Sequence, residues 1–168
     1  MGKFLSLFLA IFMVLGTGRV YAQGPEAFNN TGLPIPRFVS LRSDKVFVRS
    51  GPALRYPIKW VFVRENMPVE ITQEFDTWRK IRGIDGEEGW IHQSLLSGER
   101  YGVVQGEEGA MLLRKADNAS KPVALLEKDV IVHLEGCQNM WCKAEAGSFK
   151  GWIERKLLWG VYQQEELD

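Results

Sequence analysis

Few residues in this sequence could carry covalent or metal chemistry. Histidine occurs only at His92 and His133, and cysteine only at Cys137 and Cys142. A hydrolase needs a nucleophile beside a base, a zinc peptidase needs a HExxH pair, and a phosphate site needs a glycine-rich loop closed by lysine. None of these patterns is present. Glu87 and Glu88 adjoin within Asp85–Gly89, a turn-forming stretch where carboxylates are solvated charges rather than an acid–base pair. The expectation is a protein that is not an enzyme, with no metal and no cofactor.

The two cysteines are separated by four residues, unlike the two of a thiol oxidoreductase. On either side of a hairpin turn they would come within the roughly 4.4–6.8 Å of Cα separation that a disulfide tolerates. A structural Cys137–Cys142 bond is preferred to a redox site or a metal pair, and it implies an oxidising compartment. A two-residue turn would set the cysteines opposite each other, and a three-residue turn would leave them diagonal.

What remains is recognition chemistry. Strand alternation over Trp78–Ile81 puts Trp78 and Lys80 on one face and Arg79 and Ile81 on the other, and it puts Trp90 and His92 opposite Ile91. If Ile81 is core, Trp78 points away from it. Aromatic rings beside cations can stack on sugars or clamp an extended peptide, because rings bury large area at small entropic cost. Trp78, Trp90, Tyr56 and Arg49 are the ligand-binding candidates. The competing reading is that each indole packs beneath a loop of a small, bent barrel.

The elements that must hold these residues are short strands. Lys45–Arg49 alternates around Val46 and Val48 before the Ser50-Gly51-Pro52 break. Tyr56–Val63 follows, then Val69–Thr72, Trp78–Ile84 and Gly89–His92, with turn residues between them. This predicts a five-strand barrel with at most one short helical turn near Ser94–Ser97. The pattern repeats. Arg49 and Pro57 align with Arg114 and Pro122 at a shift of 65, Val69, Trp78 and Lys80 with Val132, Trp141 and Lys143 at 63, and Gly89 and Trp90 with Gly151 and Trp152 at 62. Copies of about 60 residues suit compact barrels. The fold class is all-β, two tandem small barrels at 37–98 and 101–160, followed by an acidic tail at 161–168.

Composition agrees. Of 168 residues, 45% are hydrophobic and 25% charged, which is globular, and six Trp, nine Phe and 17 Gly favour strands and tight turns. Lys plus Arg equals Asp plus Glu at 21 each, so no bulk field attracts nucleic acid. Lys3 precedes the apolar run Phe4–Leu15, which is shorter than the roughly 20 residues that span a bilayer, and Val20 and Ala22 suit cleavage after Ala22. Residues 1–22 therefore read as a signal peptide, with no stable membrane insertion after cleavage. Its loss leaves 19 basic and 21 acidic residues, a net charge of −2. Residues 23–36, with three Pro and two Gly, read as a flexible linker.

Four ordered motifs in the first copy carry a resemblance. These are Val46-Phe47-Val48-Arg49-Ser50-Gly51-Pro52, Tyr56-Pro57-Ile58, Trp78-Arg79-Lys80-Ile81-Arg82 and Asp85-Gly86-Glu87-Glu88-Gly89-Trp90-Ile91-His92. They resemble the bacterial SH3 domain, with its VxVRSGP start, WxKV strand and DGxxGWV closing strand. The second copy keeps Trp141-Cys142-Lys143 and Gly151-Trp152-Ile153 but has Leu112–Asp117 in place of the RSGP turn. The layout is similar to exported SH3-domain proteins of alphaproteobacteria. The resemblance implies an SH3-like fold and a periplasmic or secreted binding module directed at peptidoglycan or at an envelope protein, the latter through an extended peptide. The first copy keeps the RSGP turn and Tyr56, so the ligand surface is expected there.

Overall fold

The computed structural model describes residues 30–168. The expected signal peptide, and the expected linker up to residue 29, lie outside them. The first domain comprises β1 (Arg37–Leu41), β2 (Val46–Arg49), β3 (Ile58–Phe62), β4 (Pro68–Phe75), β5 (Trp78–Arg82), β6 (Glu88–His92), a 3-10 turn (Gln93–Leu95) and β7 (Leu96–Ser97). The second comprises β8 (Tyr101–Val104), β9 (Ala110–Leu113), β10 (Pro122–Leu126), β11 (Ile131–Gln138), β12 (Trp141–Ala146), β13 (Phe149–Glu154), a 3-10 turn (Arg155–Leu157) and β14 (Leu158–Trp159). The sheet orders, β3-β2-β6-β5-β4-β1-β7 and β10-β9-β13-β12-β11-β8-β14, are the same order written twice.

The protein is all-β, as expected, but each copy has seven strands rather than five. The additional strands are β1 and β7, with their counterparts β8 and β14. Strand β1 gains its identity by pairing with β4, as Val39 opposite Val69, and β7 has only two residues, paired with Ser40 and Leu41. Turn residues do flank them, Pro36 and Ser43-Asp44 around β1 and Gly98 after β7, but β7 is too short to show a period.

The duplication extends to backbone detail. Among the described residues, the four non-glycine residues with positive φ form two pairs at a shift of 63, Asn66 with Asp129 and Asp76 with Asn139. Asn and Asp are the residues that enter this region at least cost. A register shift follows Ile71 in β4 and Leu134 in β11, again 63 residues apart. The backbone bond from Ser50 N to Pro57 O recurs as Arg114 N to Lys121 O, and Trp152 pairs with Leu113 as Trp90 pairs with Arg49. The counterpart of Arg49 is thus Leu113, not Arg114, and that of Pro57 is Lys121. The sequence alignment slipped by one residue inside the turn.

Val46, Val48, Val69, Ile71, Ile81 and Ile91 fill the first core, and Leu112, Val132, Leu134, Ala144 and Ile153 fill the second. Each buried Val, Leu or Ile contributes roughly 1.5–3 kcal/mol. The domains are packed together. Val103 of β8 belongs to the first core, and Ile131 and Trp159 pack against it. Phe38 meets the ring of Trp159 edge-on at 5.0 Å and that of Tyr162 at 4.7 Å. The Tyr162 hydroxyl donates to Glu70 Oε1 at 2.6 Å, and Arg64 donates to the Asp129 carbonyl at 2.7 Å.

Both flanking segments are docked. The stretch expected to be flexible through Pro36 is held in its described part. Thr31 donates its N–H and hydroxyl to Glu74 at 2.8 and 2.9 Å, and Ile35 packs on the first core. The acidic tail is likewise bound: Arg100 grips Glu165 with two nitrogens at 2.5 and 3.0 Å, and Leu167 exchanges two backbone hydrogen bonds with Cys137. Arg155, 1% exposed, donates to the carbonyls of Tyr162 and Gln163. Among the described residues, no helix is long and apolar enough to cross a membrane.

Candidate functional site

The outward face of the first sheet is built by period-2 alternation. In β6, Gly89 and Ile91 point into the core while Glu88, Trp90 and His92 point outward and are half-buried. Arg49 and Lys80 are the cross-strand partners of Trp90, and His92 is the partner of Trp78. Directly opposed residues share a face. The fold therefore sets Arg49, Trp90 and Lys80 in one row and Trp78 with His92 in the next. Lys80 is fixed by Glu88 at 2.5 Å.

The Ser50–Tyr56 loop lies over one end of this face. Arg49 shapes it from below, its Nη1 donating to the carbonyls of Leu54 at 3.1 Å and Tyr56 at 2.8 Å. Tyr56 lies against Gly51 so closely that a Cβ there would sit 2.7 Å from the ring carbons, which is why this turn requires glycine. The Arg55 guanidinium lies 5.1 Å from the centre of the Tyr56 ring. Arg49 and Tyr56 thus act chiefly on the loop itself.

Trp78 is on the outward face, away from Ile81, yet it is only 8% exposed. Its ring meets His92 edge-to-face at 5.6 Å. The two rings, with Ala53, Leu54, Arg55 and Thr77, line an open groove of about 650 Å3. His92 Nδ1 is held by Ser94, lying 2.8 Å from its hydroxyl and accepting from its N–H at 3.3 Å, so the ring is fixed in place beside Trp78. The groove can take an apolar or planar group between Leu54 and the edge of Trp78, with Arg55 as a donor to an anionic or hydroxylated neighbour. Leu54 and Arg55 had no periodic or motif signal in the sequence, because a loop residue gains its role from what the loop covers.

The second domain does not repeat this arrangement. Trp141 occupies the place of Trp78, but Glu154 faces it where His92 stands in the first domain, and Leu113 replaces Arg49. The second domain places Cys137 directly opposite Cys142 beyond a two-residue turn, Asn139-Met140, and joins them by a disulfide. The hydrogen bonds of Cys137 run to Leu167 instead, so the cysteines form the close, non-hydrogen-bonded kind of pair, with Cα atoms 4.0 Å apart. Among the described residues, no group of three or more His, Cys, Asp or Glu side chains is placed to hold a metal ion.

Comparison with solved structures finds NlpC2 from Trichomonas vaginalis at 16% identity and a TM-score of 0.36, covering 79% of this chain and 47% of that one. NlpC1 from the same organism matches at 10% identity and a TM-score of 0.33, covering 81% and 50%. An NlpC/P60 family protein from Bacillus cereus ATCC 10987 matches at 9% identity and a TM-score of 0.33, covering 77% and 58%. The chain thus spans about half the length of these structures. No curated protein matches it. The family model described as the bacterial SH3 domain matches residues 42–98 and again residues 106–160, one match on each of the two sheets. Together the matches cover most of the chain, which belongs to the bacterial SH3 domain family.

Proposed function

We propose that this protein is a non-enzymatic binding module of the bacterial cell envelope, and that the groove of its first domain recognises peptidoglycan. The observation that carries this reading is the groove between Trp78, His92 and the Ala53–Arg55 loop, which combines ring surface, an exposed leucine and a cation on one side of a rigid barrel. Sugar rings stack on aromatic faces, and Arg55 can meet the carboxylates of a peptide-substituted glycan. Membership of the family, the signal-peptide character of residues 1–22 and a disulfide suited to an oxidising compartment all support an exported location.

The test is co-sedimentation of the purified protein with insoluble murein sacculi. Saturable binding that weakens in His92→Ala and Arg55→Ala supports the reading, and a protein that stays in the supernatant refutes it. A second reading, an extended peptide of another envelope protein, is favoured by the open groove with a cation on its wall. It predicts capture of an envelope protein, lost in the same variants, without sedimentation with sacculi.

A further inference from the structure

The segment from Lys45 to Arg64, which contains β2, the loop and β3, carries five cations, Lys45, Arg49, Arg55, Lys59 and Arg64, and no acidic residue. None of the five is ion-paired with a carboxylate among the described residues. By contrast, Lys80 and Arg82 on β5, Lys143 on β12 and Lys150 on β13 all hold glutamates. Three of the five instead lie over aromatic rings: Lys45 over Phe47 at 5.5 Å, Arg55 over Tyr56 at 5.1 Å and Lys59 over Trp60 at 5.1 Å. Lys59 also donates to the Glu88 carbonyl at 2.7 Å, but none of the three has its charge neutralised by a carboxylate.

The same segment concentrates exposed apolar side chains. Phe47 and Val61 face each other across β2 and β3 and are 40% and 36% exposed, Ile58 is 46% exposed, and Leu54 and Val63 reach 75% and 73%. Strand β3 ends the sheet, so this surface is an edge strand and its loop. Single exposed apolar residues need no explanation, but five on one hairpin that also carries five cations without carboxylate partners mark a contact surface.

We propose that this hairpin docks on an anionic lipid surface, laying Phe47, Val61 and Val63 among the headgroups while Lys45 and Lys59 meet the phosphates. The charge pattern selects an anionic partner. The placement of the apolar side chains, Phe47 opposite Val61 with Val63 beyond and Lys45 and Lys59 two residues away along the chain, selects a deformable one, because they can sink among headgroups without a matching cavity. The attraction is local, since this hairpin gathers five cations without an acid in a chain with equal numbers of acids and bases. The inference is independent of the groove: Lys45, Lys59, Val61 and Val63 are not among the groove's lining residues.

The experiment is vesicle co-sedimentation of the mature protein, residues 23–168, with pure phosphatidylcholine and with phosphatidylcholine containing phosphatidylglycerol. Binding is expected only to the anionic vesicles and should decline as salt rises from 0.05 to 0.5 M. The Lys45→Gln, Lys59→Gln protein should partition about 25-fold more weakly, at about fivefold per cation near the surface. Val63→Ser should weaken binding without altering the circular dichroism spectrum. The proposal is overturned if anionic vesicles fail to sediment the protein, if neutral vesicles do so equally, or if the double variant binds like the parent. Equal retention on soluble poly-glutamate, unaffected by Val63→Ser, would also overturn it, by assigning the surface to an acidic polypeptide.

Discussion

Glu74 stands directly opposite Arg79 across the β4–β5 hairpin, its Oε1 3.4 Å from the Arg79 Nε, at the register position that the second domain fills with the Cys137–Cys142 disulfide. One hairpin is closed by an ion pair and its duplicate by a covalent bond. The Glu74 side chain is fully buried. Besides Arg79 it accepts from Arg37 at 2.6 Å and from both donors of Thr31. Arg79 is 4% exposed and also donates to Gln93, whose counterpart in the second domain is Arg155. The network therefore fastens the N-terminal segment to the first domain, as the Leu167 backbone pair fastens the C-terminal segment to the second.

Breaking this network should be costly. Glu74→Ala leaves two guanidinium groups without their shared acceptor and should destabilise the protein by about 3 kcal/mol. Urea unfolding followed by tryptophan fluorescence reads this out. The Glu74→Cys, Arg79→Cys protein should instead form a second disulfide, recover part of the loss and show no free thiol in a thiol titration under oxidising conditions. Persistent free thiols would show that the two hairpins are not geometrically equivalent.

Two carboxylates link stability to pH. Burial works against the charge of Glu74, but its hydrogen bonds to Arg37 and Thr31 and the field of Arg37 outweigh that and hold its pKa below the ordinary 4.5. Burial opposes Glu165 too, and Arg100, the Tyr162 N–H and the field of Arg155 lower it overall. A lowered folded-state pKa gives stability that is present in full above the unfolded value and lost as pH falls through the folded one. The urea midpoint should therefore be flat near neutrality and fall below about pH 4.5. Glu74→Gln should be less stable at pH 7 and show a shallower acid slope. An unchanged slope in Glu74→Gln and Glu165→Gln would refute the assignment.

Reduction of Cys137–Cys142 should cost about 2 kcal/mol, the chain-entropy value for so short a loop. The Cys137→Ser, Cys142→Ser protein should still fold, because β11 and β12 retain their ladder and core. Thermal denaturation with and without reductant measures the difference. Collapse of the β-sheet circular dichroism signal on reduction would be the contrary result.

In the groove, Leu54→Ser, Arg55→Ala and His92→Ala should each preserve the fold, and the strongest should weaken sacculus binding by about thirtyfold, equivalent to roughly 2 kcal/mol. Trp78→Ala is a different experiment. At 8% exposure the indole supports the barrel, and its truncation should cost roughly 3–5 kcal/mol of stability. Binding isotherms of the loop variants against those of Trp141→Ala locate the site. Equal loss from Trp141→Ala would extend it to both domains.

The sequence by itself determined the all-β class, the duplication, the alternation that sets Trp78 apart from Ile81 and Trp90 apart from Ile91, and the pairing of the two cysteines without their register. All of these follow from a two-residue period or a short turn, signals written in contiguous residues. Tertiary structure decided the rest. Strand β1 exists because β4 offers it a ladder roughly 30 residues away, and the tail is ordered because Arg100 and Cys137 hold Glu165 and Leu167. Arg79 could be placed on the Ile81 face from alternation, but its burial depends on Gln93 and on a Glu74 that Thr31 and Arg37 of the N-terminal segment hold in place. Trp78 becomes part of a groove only when the Ser50–Tyr56 loop, fixed by Arg49, lies beside it. Each of these features depends on groups far apart in the chain that must meet to satisfy a buried charge or an unpaired backbone, and such meetings leave no local period to read.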